Sequence, residues 1–111
     1  MKKEMISLAL LGNPFVANVP KQINELELLQ ALRVDIAGEW EAIIGYEAHA
    51  MATTDERVKK VLYHIANEER QHVGELQQLL YMLNPGEADH MQKGQQAIQQ
   101  QQTQKFQTPM Q

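Results

Sequence analysis

Apolar residues recur along two stretches of this chain at alternating spacings of three and four residues. The first stretch follows Asn24 and runs without proline to about Ala52, and the second runs from about Glu56 to Asn84. A strict three-four alternation is the seam of helices that pack side by side with a left-handed twist. The first seam comprises Leu29, Leu32, Ile36, Glu39, Ile43, Tyr46 and Ala50, and the second comprises Val58, Leu62, Ile65, Glu69, His72, Leu76, Leu79 and Leu83.

Capping residues give the ends of these two helices. Asn24 is the predicted N-cap of the first helix, and two glutamates follow it in the first turn, where the helix dipole favours them. Thr53 and Glu56 stand at capping-box spacing, which predicts a turn that leads into the second helix. Pro85 and the glycine after it are expected to end that helix. The fold class is therefore all-α, an antiparallel two-helix hairpin.

The chain divides into three parts by composition. Residues 1–23 carry prolines and a glycine and are predicted to form an irregular lead-in. Residues 24–93 form the helical hairpin domain, with a short third helix around residues 87–93. Residues 94–111 are expected to be a disordered tail or tether, because glutamine dominates there without any apolar periodicity.

Polar side chains occupy core positions of both seams. The midpoint of Glu39 and Glu69 falls at residue 54, inside the predicted turn. In an antiparallel hairpin the two carboxylates therefore face each other, each about 22 Å from the turn. His72 lies one turn after Glu69 on the same face.

Two buried carboxylates crowded together are costly, since like charges oppose the ionisation of both. A bound metal cation removes this difficulty, and carboxylates with one imidazole suit iron or manganese better than structural zinc. Taken singly, His72 would be read as a hydrogen-bonded core histidine, Tyr46 as a core tyrosine, and Glu69 as a partner of Arg57 or Arg70. Glu39 and Glu69 lie at the same distance from the turn on the two seams, and His72 lies one turn away. This arrangement favours the metal site.

A single hairpin supplies too little interior to bury both seams. It also supplies half of a di-iron carboxylate site, which takes one Glu from each of two helices and Glu-x-x-His from each of two others. Two copies related by a twofold axis would provide four carboxylates and two histidines. We therefore expect a homodimer that completes a four-helix bundle, and assemblies of such dimers are consistent with it.

Composition limits the other partners. The formal net charge is −4 and there is no concentrated basic patch, which argues against nucleic acid or a membrane surface as the main partner. No apolar run approaches the length of a membrane span. The chain has no cysteine, which excludes thiol catalysis and thiolate metal sites. These features predict a cytoplasmic protein.

The stretches GEWEAIIGYEAHA and HIANEERQHVGELQQLL resemble the ferritin-like superfamily. The glutamate followed seven positions later by tyrosine resembles a ferroxidase helix, and EERQH resembles its Glu-Glu-x-x-His partner. One copy of each motif on a two-helix chain is most similar to the encapsulated ferritins, which are associated with encapsulin nanocompartments. The resemblance covers about residues 25–93.

This resemblance implies a ferroxidase that oxidises Fe²⁺ to Fe³⁺ at a di-iron site across the dimer interface, with two iron ions per dimer. It implies that Glu39, Glu69 and His72 are ligands and that Tyr46 orients a ligand carboxylate. It also implies iron storage or detoxification inside an encapsulin shell. Glu41 fits one acidic position of the family's iron uptake path.

The chain departs from the encapsulated ferritins at two places. Gly38 stands where the uptake path usually has a second acid, and the chain ends in KFQTPMQ, which does not resemble an encapsulin-targeting tail. Three alternative functions also stay open. They are a rubrerythrin-like peroxide-reducing protein with an external electron donor, a manganese catalase-like protein, and a metal-free helical adaptor whose buried polar residues set the register.

Overall fold

Three α-helices account for most of the chain. The computed structural model describes residues 21–107, with side chains through residue 103. Helix α1 spans Glu25–Ala52, α2 spans Glu56–Leu83 and α3 spans Pro85–Gln107. No strand occurs within the described residues, which confirms the all-α prediction.

The N-terminus of α1 begins where the sequence predicts it. The Asn24 side chain accepts a hydrogen bond from the Glu27 amide at 2.8 Å, and the Asn24 amide donates to the Glu27 carboxylate at 2.9 Å. This reciprocal capping box satisfies two amides that the first turn would otherwise leave without partners. The predicted N-cap is confirmed.

The turn between α1 and α2 differs from the prediction in its capping residue. The N-cap of α2 is Asp55 and not Thr53, and its carboxylate accepts hydrogen bonds from the amides of Arg57 and Val58. Thr53 is instead the C-cap of α1, and its hydroxyl accepts a hydrogen bond from the Asp55 amide. A carboxylate at the N-terminus of a helix also interacts favourably with the helix dipole, which a threonine hydroxyl does less well.

Helix α3 is longer than predicted. Pro85 ends α2 as expected, but it is also the first residue of α3, a position where its fixed φ and missing amide hydrogen are well tolerated. The helix then continues through Gln107, whereas the sequence predicted disorder from residue 94 onward. Glutamine is a good helix former, so this segment is helical although residues 94–103 are all exposed. The predicted division into domains stays a prediction, since residues 1–20 and 108–111 lie outside the described residues.

Helices α1 and α2 pack against each other as the predicted antiparallel hairpin. Their main apolar cluster lies away from the turn and contains Leu29, Leu32, Ile36 and Leu80, with Val73, Leu76 and Tyr81 packed against it. Nearer the turn, the buried residues are Ile43 and Ala50 on α1 and Ala66 on α2. The hairpin is therefore packed most heavily at its open end.

The face of α2 that meets α1 is rotated from the predicted seam. The α2 residues that are buried or packed against the core cluster are Ala66, Val73, Leu76, Leu80 and Tyr81, and of these only Leu76 belongs to the predicted seam. Of the predicted α2 seam, Val58, Leu79 and Leu83 are exposed. These three residues and His72 are here called the α2 stripe. A seam that points to the centre of a four-helix bundle is shared between two neighbours, so one neighbour covers only part of it.

Candidate metal centre

Glu39 of α1 and Glu69 and His72 of α2 form a group with the ligand types of a metal site. One potential ligand atom from each lies within 4.8 Å of the others. His72 Nδ1 is 2.9 Å from Glu69 Oε1 and 3.5 Å from Glu39 Oε1. The helical period places Glu69 and His72 one turn apart, and the hairpin places Glu39 at their height. The structure thus brings these three predicted residues together.

The group is open on one side. The side chains of Glu69 and Glu39 are 19% and 23% exposed, whereas that of His72 is 49% exposed. His72 belongs to the α2 stripe. The open side of the group therefore lies on the same face of α2 as Val58, Leu79 and Leu83, which α1 leaves exposed. Additional ligands can therefore approach from this side without displacing the hairpin core.

Burial and the neighbouring carboxylate change the acid–base properties of Glu39. Desolvation raises the pKa of Glu39, and its hydrogen bond and charge interaction with Glu69 raise it further. His72 opposes these effects but does not cancel them. Desolvation lowers the pKa of His72, but the charges of Glu39 and Glu69 outweigh it, so that the pKa of His72 is raised overall. Without a metal, the group thus retains protons that a bound cation would replace.

The arginines that could neutralise these carboxylates bind elsewhere. Arg57 forms a 2.8 Å ion pair with Asp55, and Arg70 forms a 2.5 Å ion pair with Glu47. The alternative in which either arginine pairs with Glu69 is therefore wrong. Within the described residues, His72 is the basic side chain that lies within ion-pair distance of both Glu39 and Glu69, and it is cationic when protonated.

The donor set fits iron or manganese on chemical grounds. Two carboxylates and one imidazole are borderline to hard donors, which these ions accept readily. Three donors from one chain leave several positions of a six-coordinate ion to other ligands. A second set of the same donors, or water and an oxidant, could occupy those positions.

The two remaining predicted site residues are not part of the group. Tyr46 is half-buried on α1, and among the described residues its hydroxyl makes no hydrogen bond to Glu39 or Glu69. Glu41 is also half-buried, two residues after Glu39. The role of Tyr46 in orienting a carboxylate and the role of Glu41 in iron uptake stay predictions.

Sequence reasoning missed the partnership of Glu47 with Arg70. Glu47 lies off the predicted seam, so its position in the heptad pattern does not indicate a partner on α2. The signal available in the sequence was weak, because the two residues are not at equal distances from the turn. Their contact depends on long side chains that reach along the helices.

The helices that carry the group match a known family model. Residues 27–84, just over half of the chain, match the family described as "Ubiquinone biosynthesis protein COQ7". The match contains both segments that contribute to the group, with Glu39 in one helix and Glu69 and His72 in the other.

Curated relatives match a similar part of the chain. The chain is 38% identical over 78 residues to "Encapsulin nanocompartment cargo protein EncC" of Myxococcus xanthus, which is 70% of this chain and 60% of that protein. It is 39% identical over 82 residues to "Ferritin-like-encapsulin shell fusion protein" of Pyrococcus furiosus, which is 74% of this chain and 24% of that protein. The chain therefore spans less than two thirds of the length of either relative.

A solved structure has the same fold. The crystal structure of the encapsulated ferritin domain from Pyrococcus furiosus superimposes with a TM-score of 0.71 at 36% sequence identity. The superposition covers 79% of this chain and 90% of that chain. The similarity therefore extends over nearly the whole of that solved domain.

Proposed function

This chain belongs to the encapsulated ferritin family, and from that premise we propose that it is a ferroxidase that oxidises Fe²⁺ to Fe³⁺. The observation that carries the proposal is the convergence of Glu39, Glu69 and His72 on the open flank of the hairpin. In this position the three side chains can bind iron, and oxidant can reach the metal. The match to the COQ7 family model covers both helices that carry these three side chains.

The proposed site is completed by a second copy of the chain. The α2 stripe continues along α2 from the open side of the group with exposed apolar side chains, and burying them would stabilise a dimer. A twofold axis beside His72 would bring two sets of the three donors together, giving four carboxylates and two imidazoles for two iron ions. This is the ligand set already described for ferritin-like di-iron carboxylate proteins. Dimers of this kind could assemble further through surfaces that the site does not use.

The proposed reaction transfers one electron from each of two Fe²⁺ ions. With dioxygen as oxidant, two electrons and two protons give hydrogen peroxide; with hydrogen peroxide as oxidant, two electrons and two protons give two water molecules. The carboxylates lower the energy of the Fe³⁺ product, because harder oxygen donors favour the more highly charged ion. The Fe³⁺ would then leave the site for storage, which also removes reactive Fe²⁺.

The proposed location is the inside of an encapsulin nanocompartment. One relative is named as cargo of such a compartment, and another is a fusion of a ferritin-like segment to an encapsulin shell. An encapsulin shell protein is therefore the proposed partner. The structure itself adds one finding, namely that no helix within residues 21–107 has the length and hydropathy to cross a membrane.

Aerobic oxidation of Fe²⁺, followed by the absorbance of the ferric product, tests this function. We expect fast oxidation by the unmodified protein and background rates for Glu39→Ala and for the near-isosteric Glu39→Gln. The matched control is Glu25→Ala, which removes an exposed carboxylate from the first turn of α1. If the unmodified protein oxidises Fe²⁺ no faster than Glu39→Ala, the proposal fails for dioxygen.

Two further measurements separate the alternatives. Repeating the assay with hydrogen peroxide, and then with Mn²⁺ in place of Fe²⁺, addresses the peroxide-reducing and catalase-like functions. A metal-free adaptor predicts the opposite response to mutation. In an adaptor, replacing Glu39, Glu69 and His72 with apolar residues would preserve or raise the free energy of unfolding, and there would be no metal binding to lose.

A further inference from the structure

An ion pair joins α1 to α2 close to the candidate metal centre. Arg70 donates to the Glu47 carboxylate at 2.5 Å, and its other terminal nitrogen donates to the Asn67 side chain at 3.0 Å. The guanidinium is therefore held by one residue of its own helix and one of the facing helix. Arg70 directly follows Glu69, so the ion pair begins at the height of the metal centre.

The ion pair runs diagonally along the hairpin. Residues at equal distances from the turn lie at equal heights, so Arg70 is level with Gly38, whereas Glu47 lies about nine residues nearer the turn, or roughly 13.5 Å along the axis. Side chains on a helix tilt toward its N-terminus. Because α1 and α2 are antiparallel, the Glu47 side chain tilts away from the turn and the Arg70 side chain tilts toward it, so the two close this distance.

The ion pair and the metal centre lie on opposite flanks of the hairpin. Each residue advances about 100° around a helix, which places Glu39 and Glu47 on different sides of the buried positions Ile36 and Ile43 of α1. On α2 the same period places His72 and Arg70 on different sides of Val73. The α1–α2 core therefore separates the ion pair from the three candidate ligands.

The ligands come from both helices, which is why a brace would matter at this height. Glu39 is on α1, whereas Glu69 and His72 are on α2, so any sliding or separation of the helices changes the distances among the three ligand atoms. The main apolar cluster lies farther from the turn, and Ile43 is the one large apolar side chain that is buried on α1 between Ile36 and Ala50. An attraction on the opposite flank resists both movements.

We propose that Glu47 and Arg70 are positioning residues that hold α1 and α2 in the register and separation that the metal ligands require. The proposal rests on the proposed function of Glu39, Glu69 and His72. Neither Glu47 nor Arg70 touches these ligands, so both act through the backbone of the helices. Their loss lowers metal affinity and disturbs the coordination geometry, and it leaves the fold in place.

Binding of Mn²⁺ in the absence of oxidant, measured by calorimetry on the full chain, tests the proposal. We expect Glu47→Gln and Arg70→Gln each to weaken binding by about threefold to tenfold, less than the loss expected for a residue hydrogen-bonded directly to a ligand. The charge-reversed double variant Glu47→Arg with Arg70→Glu should recover most of the affinity. The conservative Arg70→Lys should recover part of it, since lysine keeps the charge but loses the planar guanidinium.

Two additional readouts distinguish positioning from general stability. The visible spectrum of bound Co²⁺ should change in Glu47→Gln and return in the charge-reversed variant, because this spectrum reports coordination geometry. The matched control is Arg33→Gln, which removes the ion pair between α1 and Glu87 of α3. That control should bind Mn²⁺ as the unmodified protein does.

The outcomes separate this proposal from the function on which it rests. Unchanged Mn²⁺ affinity in Glu47→Gln and Arg70→Gln, with binding abolished in Glu39→Ala, overturns the brace and leaves the metal site standing. Equal weakening in Arg33→Gln, together with lower thermal stability in all variants, also overturns it, because the effect would then be general. An unmodified protein that binds no Mn²⁺, Fe²⁺ or Co²⁺ overturns both proposals.

Discussion

Helices α1 and α2 have the same length and the same kind of seam, but their seams differ in burial. On α1, the predicted seam is buried or half-buried along its whole length, including Glu39 and Tyr46. On α2, three apolar seam residues are exposed, and His72 is nearly half-exposed. The difference shows that the α1 seam is covered within one chain, whereas part of the α2 seam is left exposed, where a second chain could cover it.

The strongest test of this comparison is to place a charge on the α2 stripe. We expect Leu79→Glu to abolish the dimer and to reduce Fe²⁺ oxidation to background, because a buried unpaired carboxylate at the interface is costly. The oligomeric state is measured by light scattering and the oxidation by ferric absorbance. Met82→Glu is the control, since Met82 is exposed on α2 outside the stripe. A dimer that survives Leu79→Glu would show that the stripe is not the interface.

Leu79 and Leu80 are adjacent in sequence but lie on different sides of α2, so substitutions at these two positions compare the two sides directly. Leu80 is 1% exposed against α1, and Leu79 is 43% exposed. Leu80→Ala should lower the free energy of unfolding by about 2–5 kcal/mol at any protein concentration. Leu79→Ala should destabilise the dimer more than the isolated chain, which denaturant titrations over a range of protein concentrations reveal. Equal effects that are independent of concentration would contradict the proposed interface.

The carboxylate–imidazole group gives the metal-free chain a distinctive pH dependence. A group whose pKa is raised by folding binds its proton more tightly in the folded chain, so its contribution to stability is lost as the pH rises through the folded pKa. This applies to Glu39 above pH 4.5 and to His72 above pH 6.5, the ordinary values of the two groups. We therefore expect thermal unfolding of the metal-free protein to show a loss of stability as the pH rises above 4.5, and a further loss as it rises above 6.5.

Metal should reverse that trend. Because a metal ion competes with protons for the same ligands, its stabilising effect grows as the pH rises. Thermal unfolding with saturating Mn²⁺ should therefore show rising stability over the same pH range. The variant combining Glu39→Gln and His72→Gln should show neither trend, and persistence of both in this variant would assign them to other groups.

The smallest expected effect concerns the start of α1. Asn24→Ala removes one half of a reciprocal capping box and should cost about 1 kcal/mol of unfolding free energy. Asn24→Ser keeps a capping oxygen and serves as the control. Mn²⁺ affinity should be unchanged in both variants, because Asn24 lies about 15 residues, or roughly 22 Å, from Glu39. A parallel loss of affinity would mean that stability alone governs the metal centre.

The sequence was sufficient to predict the parts of the molecule that depend on local period and on symmetry about the turn. The N-cap at Asn24, the hairpin, and the convergence of Glu39, Glu69 and His72 all follow from these two features. The rotation of the α2 seam could not be predicted in the same way. A heptad pattern records all the neighbours that a helix has in its assembly, and one chain supplies only some of them.

Two other features depended on information that local patterns lack. The capping of α2 by Asp55 depended on a choice among three adjacent polar residues in a tight turn. The extent of α3 depended on glutamine-rich sequence whose helix propensity is good although its apolar content is low. In both cases a weak local preference decided the structure, because no tertiary packing competes with it.

The junction between α2 and α3 consists of Asn84 alone, and Arg33 of α1 forms an ion pair with Glu87 in the first turn of α3. The direction of α3 is therefore set by both helices of the hairpin. A helix of 23 residues is about 34 Å long. A change of about 10° at the junction would move its far end by about 6 Å. Small rearrangements between α1 and α2 would therefore produce larger displacements at the C-terminal end of α3.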